Sequence, residues 1–209
     1  MPDFSDIEQR MKKQFPNAEL DYHWKWPFRE SDVLAFYGEP IGDLTEEEFT
    51  ERLFAKFNKA LTDAVKSRNR KRVLEIIRLI VCKWGGIGGN GDDTLETYAN
   101  HLLARTPAQL TGMRGIASKS KILAAWDLKG CFIYDARVAI ALQTLYFDKY
   151  KFEIPTPQGG RNELIRKLAA SRGVPVDYSG YCAALRATGH GKQLEKKLFM
   201  LGKWIREHA

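Results

Sequence analysis

Apolar side chains recur every three to four residues through most of this chain, and that period predicts a helical protein. The clearest stripe follows Thr45-x-x-Glu48, the spacing of a capping box. Phe49, Leu53, Phe57, Ala60, Leu61 and Ala64 then share one face. Residues 73–84 are apolar nearly all round, with Val73, Leu74, Ile76, Ile77, Leu79, Ile80 and Val81, which predicts a helix in the middle of the core. Asp93-x-x-Glu96 predicts a capped helix through Leu95, Tyr98, Leu102 and Leu103. Thr106-Pro107 predicts a short helix running into Leu110, with proline at its first position. Ser118 has N-cap chemistry for a helix through Ile122, Leu123 and Trp126, and Asp135 for one through Val138, Ala139, Leu142 and Leu145.

The two ends follow the same period. Ile7 and Met11 share one side of a polar amphipathic stretch. His23-Trp24-Lys25-Trp26-Pro27-Phe28 reads as an aromatic strap holding an N-terminal arm, or else as a base-stacking segment. Ser31 starts a short helix through Leu34 and Phe36, ended by Gly38 and Pro40. Pro155-Thr156-Pro157-Gln158-Gly159-Gly160 reads as a loop and a lobe boundary. Three helices follow, carrying Leu164, Ile165 and Leu168, then Tyr178, Tyr181 and Leu185, then Leu194, Leu198, Leu201 and Ile205 with Phe199 and Trp204 beside them.

Composition narrows the class. At 209 residues and 44% hydrophobic, the chain is long and apolar enough for one helical domain or two small lobes, and too apolar for disorder. The net charge of +7 is compatible with a polyanionic partner and equally with a solvated basic surface. Cys82, Cys131 and Cys182 are odd in number and far apart, so they read as reduced and mostly buried in a cytosolic protein. His23, His101, His190 and His208 show no ligand spacing, so no zinc site is expected. No signal-peptide pattern opens the sequence, and no apolar run reaches the length of a membrane span. Arg68, Arg70, Lys71 and Arg72 form a charge run at a helix start, usually a solvated feature.

Candidate chemistry collects in two glycine turns and the helices near them. Gly112 and Gly115 bracket Met113 and Arg114 just ahead of the helix carrying Lys119. Such a turn exposes backbone N–H groups that suit a phosphate, and a plain helix–helix corner needs the same residues. Asp135 caps the next helix, 16 residues after Lys119. By themselves, a capping aspartate and a solvated lysine account for both. Five glycines among residues 85–91, after Lys83-Trp84, read as a helix C-cap with a long turn, or as a loop that meets a ligand.

Gly115-Ile116-Ala117-Ser118-Lys119 followed by Ile133-Tyr134-Asp135 resembles the helix-hairpin-helix DNA glycosylase superfamily, and within it the 8-oxoguanine DNA glycosylase branch. Ala117 stands where that family has the second hairpin glycine, and Arg137 where it often has a histidine. In size and in Lys83-Trp84-Gly85-Gly86 the chain also resembles compact single-domain bacterial proteins with this core, some directed against phage DNA bearing modified bases. The resemblance implies an all-α bundle of two helical lobes with the active-site cleft between them. It implies one glycosylase-like domain over residues 1–209, with an N-terminal arm (1–30), a hairpin and catalytic segment (106–145) and C-terminal helices (161–208) packing back beside the N-terminal ones.

The resemblance further implies a monomeric, cytoplasmic, DNA-associated bacterial enzyme without an organic cofactor or metal, acting on double-stranded DNA that contains a modified base. Lys119 and Asp135 would be catalytic. Gly112, Arg114, Gly115, Ala117, Ser118, Lys121 and Arg137 would contact DNA. Trp84, Gly85, Gly86, Phe199 and Met200 would border the pocket for the extruded base. The lysine must shed its proton before it attacks, which burial or neighbouring cations such as Lys121 and Arg114 favour. A non-catalytic helix-hairpin-helix DNA-binding module is the alternative that the turn and the charge alone allow.

Overall fold

In a computed structural model of the chain, residues 1–23, 30–38, 43–155 and 163–208 are described. The protein is mostly helical, as the periodicity predicts. Its helices are α1 (Ile7–Gln14), α2 (Glu30–Tyr37), α3 (Glu46–Lys66), α4 (Arg70–Arg78), α5 (Asp92–Leu103), α6 (Ile116–Trp126), α7 (Ala136–Leu145), α8 (Glu163–Ala169), α9 (Tyr178–Ala187) and α10 (Gly191–His208). A π-helical segment, Leu79–Trp84, continues α4, and a 3-10 helix, Pro107–Thr111, precedes α6. Two three-residue strands, β1 (Tyr150–Phe152) and β2 (Val174–Val176), pair in parallel. No described helix is long and apolar enough to cross a membrane.

The chain divides into two compact units. One comprises Met1–Tyr22, Gly112–Ala117 and Phe132–Ala209; the other comprises His23–Thr111 and Ser118–Cys131. The expected boundary near residue 155 is therefore not where the chain divides: residues on both sides of it belong to the first unit. Residues 156–160 of that loop lie outside the described residues, as do Trp24, Lys25, Trp26, Pro27, Phe28 and Pro40.

The first unit is built around α7, whose Val138, Ala139, Ile140, Ala141, Leu142 and Leu145 are all buried. α10 packs on it closely. A Cβ on Gly202 would overlap the Arg137 carbonyl oxygen, so only glycine lets the two backbones approach this far. The N-terminal arm joins the same core: Phe4 stacks on Tyr146 with centroids 5.4 Å apart, and Phe15 meets Trp204 edge-on at 5.8 Å. Lys197 of α10 pairs with Glu8 of α1. The strands are too short to show alternation in sequence. Buried Gln143 borders β1 as a further strand would, accepting from Phe152 N at 2.7 Å and donating to Tyr150 O at 3.2 Å.

The second unit is held by α3, α4 and α5. Thr45 and Glu48 form the predicted capping box, and Phe49, Leu53, Phe57, Leu61 and Ala64 are buried, joined by Phe54. Val73, Ile76, Ile77, Ile80, Val81 and Trp84 are buried as well. Asn69 caps α4, and the basic run is partly neutralised on the surface by Arg70–Glu96 and Arg72–Glu75 pairs. Two predicted caps move. α5 is entered from Gly91, because Asp92 and Asp93 both fit its first turn, where the helix dipole favours anions. α6 begins at Ile116, so Ser118 lies inside it and is buried. At the far end of α6, Asn58 Nδ2 donates to the carbonyls of Ala125 (3.0 Å) and Trp126 (2.7 Å), closing the helix from α3.

Candidate active site

The residues singled out by sequence fall into both units. Asp135, Arg137, Phe199 and Met200 belong to the first, with Gly112, Arg114, Gly115 and Ala117. Lys119, Ser118, Lys121, Trp84, Gly85 and Gly86 belong to the second.

Asp135 is the N-cap of α7, as its position predicts. Its backbone is extended (φ −117°, ψ −176°), and Oδ1 accepts from Arg137 N at 2.9 Å and Val138 N at 3.1 Å. These bonds occupy one oxygen and fix the rotamer. The other, Oδ2, lies 3.9 Å from Arg137 Nη1, with the carboxylate side chain only 15% exposed. The guanidinium of Arg137 also lies over the ring of Phe199, 4.8 Å from its centroid, and Phe199 meets Tyr22 at 6.0 Å. Of the proposed pocket residues, Phe199 is thus half-buried beside Arg137, whereas Met200 is buried.

The segment leading into Asp135 is gripped by α9 and α10. Tyr178 donates its hydroxyl to Phe132 O at 2.8 Å, and Tyr181 donates to Ile133 O at 2.8 Å. Glu195 accepts from the Ile133 N–H. Tyr134 donates to Glu153 O at 2.8 Å. Burial pushes the phenols of Tyr134 and Tyr181 well above their ordinary range, so both remain donors at neutral pH. Burial also raises Glu195, against the pull of Lys192, whose ammonium is 3.2 Å away. In sequence Tyr134 is named only within the Ile133-Tyr134-Asp135 motif and Tyr178 and Tyr181 only as positions of a helix, with no role in holding Asp135; Glu195 carried one signal, a carboxylate next to Leu194 on its helix.

The hairpin turn places Gly112, Arg114 and Gly115 in solvent, with Gly115 in the left-handed region (φ +71°) and Ile116 N donating to Met113 O at 3.0 Å. Ala117 is half-buried.

In the second unit, Lys119 is half-buried on the first turns of α6. The flanking Ser118, Ser120 and Lys121 are buried, at 4%, 0% and 5% exposure. The resemblance implies DNA contacts for Ser118 and Lys121; in the structure both are buried and pack α6 against the glycine loop. Ser118 Oγ accepts from Asn90 Nδ2 at 2.8 Å. The Lys121 stem covers Gly85 so closely that a Cβ there would come within 2.7 Å of Lys121 Cδ and of Val81 O. Gly86 is left-handed (φ +65°) and exposed. Trp84 ends the π-helical segment, buried edge-on against Phe54 at 4.8 Å. π-Helical turns recur at functional sites, where the extra residue re-aims neighbouring side chains.

Cys182 is buried and Cys82 and Cys131 are half-buried, and none of the three forms a disulfide. No protein-family model, curated protein or solved structure matches the chain.

Proposed function

We propose that the protein is a DNA N-glycosylase with abasic-site lyase activity, acting on a modified base in double-stranded DNA. The observation that carries this reading is Asp135 as a largely buried N-cap, one oxygen committed to α7 and the other beside Arg137, in the motif context it shares with Lys119. The exposed turn at Gly112, Arg114 and Gly115 supports it, since a solvent-facing glycine turn that carries a cation suits a DNA phosphate.

The chemistry then follows from the parts. The target nucleotide leaves the stack. The neutral Lys119 amine attacks the sugar C1′, and the bond from C1′ to the base nitrogen breaks, its electron pair leaving with the base. Positive charge develops on the sugar, and the Asp135 carboxylate stabilises it and accepts the amine proton. Opening of the sugar ring gives a Schiff base between Lys119 and C1′. Loss of a C2′ proton expels the 3′ phosphate, which nicks the strand.

The test is covalent trapping. Duplexes carrying 8-oxoguanine, an abasic site or phage-type modified bases are incubated with the protein and then treated with borohydride. The expected result is a protein–DNA adduct with at least one duplex, absent in Lys119→Ala. Adduct formation by Lys119→Ala at the parent level removes the assigned nucleophile.

A second reading is favoured by the cap itself. Two backbone bonds to Oδ1 suffice to explain Asp135 structurally. A non-catalytic DNA-binding module would bind duplex in a salt-dependent way, keep that binding in Asp135→Asn, and release no base.

A further inference from the structure

We infer that Glu195 and Tyr181 are positioning residues for Asp135, acting through the peptide groups of Ile133. The inference rests on the glycosylase reading and adds to it the part of the molecule that aims the carboxylate.

The argument begins with what an N-cap cannot do alone. The bonds from Arg137 N and Val138 N tie Oδ1 to α7, but they leave the chain entering the cap free to swing. Ile133 is two residues upstream, so its peptides sit on the approach to Asp135. Glu195 takes its N–H and Tyr181 binds its C=O, from α10 and α9 respectively. The peptide joining Phe132 to Ile133 is thus held at both polar atoms, its C=O by Tyr178 and its N–H by Glu195, and the next peptide is held at its C=O by Tyr181, so neither rotates without breaking a bond. Neighbouring contacts narrow it further. Tyr178 holds Phe132 O, the ring of Phe132 lies where a side chain on Gly191 would go, and Lys192 Nζ lies 5.0 Å from that ring's centroid. On the other side of the cap, Gly202 brings α10 against Arg137. Asp135 therefore hangs between two fixed points, both set by α10.

A buried carboxylate is an expensive way to accept one N–H bond, and burial alone would favour an apolar residue at position 195. Lys192 offsets part of that cost, with its ammonium 3.2 Å from the carboxyl that accepts the Ile133 N–H. The arrangement makes sense where placement matters more than stability. A displacement of about 1 Å in a reacting group lowers a rate by roughly 100-fold.

The test uses the full chain and a duplex with a single abasic site, measuring strand nicking and duplex binding for Glu195→Ala, Glu195→Gln, Tyr181→Phe and Asp135→Asn, each checked for folding by circular dichroism. Glu195→Ala and Tyr181→Phe should lower kcat about 10-fold or more with KM and duplex affinity unchanged. Glu195→Gln should recover most of the rate lost in Glu195→Ala, since its amide oxygen still accepts from Ile133. If Glu195→Ala fails to fold, Tyr181→Phe carries the test. Parent-like kcat in a folded Tyr181→Phe or Glu195→Ala, or equal losses in kcat and affinity, overturns the positioning role while Asp135→Asn still shows the loss the glycosylase reading requires. Parent-like nicking by Asp135→Asn, or no nicking by the parent, removes that reading and the inference with it.

Discussion

Segment 132–135 and loop 85–91 are both short irregular stretches that lead into helices, and they are held in opposite ways. In the first, Phe132 O, Ile133 N and Ile133 O are each bonded from α9 or α10. Among the described residues, the second is tied by Gly85 N to Ile80 O, Ile87 N to Val81 O, and Asn90 to Ser118. Between those ties, Gly88 and Gly89 are exposed, and a Cβ on either would meet no atom within 4 Å. Full satisfaction of a buried segment fixes one geometry, which suits a group that must be aimed. Open space around exposed glycines suits a place that something else approaches. The contrast suits the aimed carboxylate proposed at Asp135 and the reading of 85–91 as a loop that meets a ligand, here the proposed duplex.

The sharpest way to break the contrast is at the tightest contact. Gly202→Ala puts a methyl group into the Arg137 carbonyl, backbone against backbone, with no flexible side chain to yield. It should destabilise the protein by about 3 kcal/mol, read as a lowered urea midpoint. A loss below about 0.5 kcal/mol would mean that α7 and α10 are not locked, and the fixed start of α7 would lose its basis.

Gly85→Ala tests the anchored end of the loop. Its methyl would meet Val81 O and Lys121 Cδ, and the lysine stem can shift where the carbonyl cannot. The expected loss is about 2 kcal/mol, smaller than at Gly202, by the same measurement.

Much of the fold was legible in the sequence wherever the cause is local. The Thr45–Glu48 capping box, the stripe on α3 and the Asp135 cap each depend on residues within a few positions, and each is present. What was not legible depends on distant partners or on ambiguous periodicity. Ser118 has cap chemistry, but left-handed Gly115 already turns the chain and α6 starts at buried Ile116, three residues sooner than a cap at Ser118 would start it. Residues 79–84 are apolar nearly all round, so their pattern could not distinguish a π-helical turn from a continuing α-helix. The partners of segment 132–135 lie 46 and 48 residues away for the two tyrosine bonds, beyond any local pattern. Lys121 reads as a surface cation from its type, and only the packing of Gly85 shows that its stem is covered.

A third, pH-dependent effect comes from Glu195. Burial raises its carboxyl above the ordinary value of 4.5, so the folded state holds the proton more tightly than the unfolded chain. The sign follows. Below pH 4.5 the group is protonated in both states and its contribution is fully present. As pH rises, the unfolded chain ionises first and the parent loses stability, until the folded carboxyl has ionised too. Glu195→Gln cannot ionise, so its stability relative to the parent should rise from pH 4 to pH 8. Urea unfolding at three pH values checks this, and a difference that falls with pH would reverse the account of Glu195 as a burial-strained acid.

The smallest effect belongs to the open middle of the loop. Gly89 has no neighbour to clash with and no left-handed backbone. Gly89→Ala therefore removes freedom from the unfolded chain without straining the fold, and should stabilise by about 0.4–1 kcal/mol. A longer, charged replacement separates stability from use. Gly89→Glu should leave the urea midpoint within about 0.5 kcal/mol of the parent, as surface changes generally do. It should nonetheless weaken duplex binding, because a carboxylate would stand where phosphates approach. Unchanged affinity in Gly89→Glu across low and moderate salt would place the DNA elsewhere on the surface, leaving the loop a tolerant turn and nothing more.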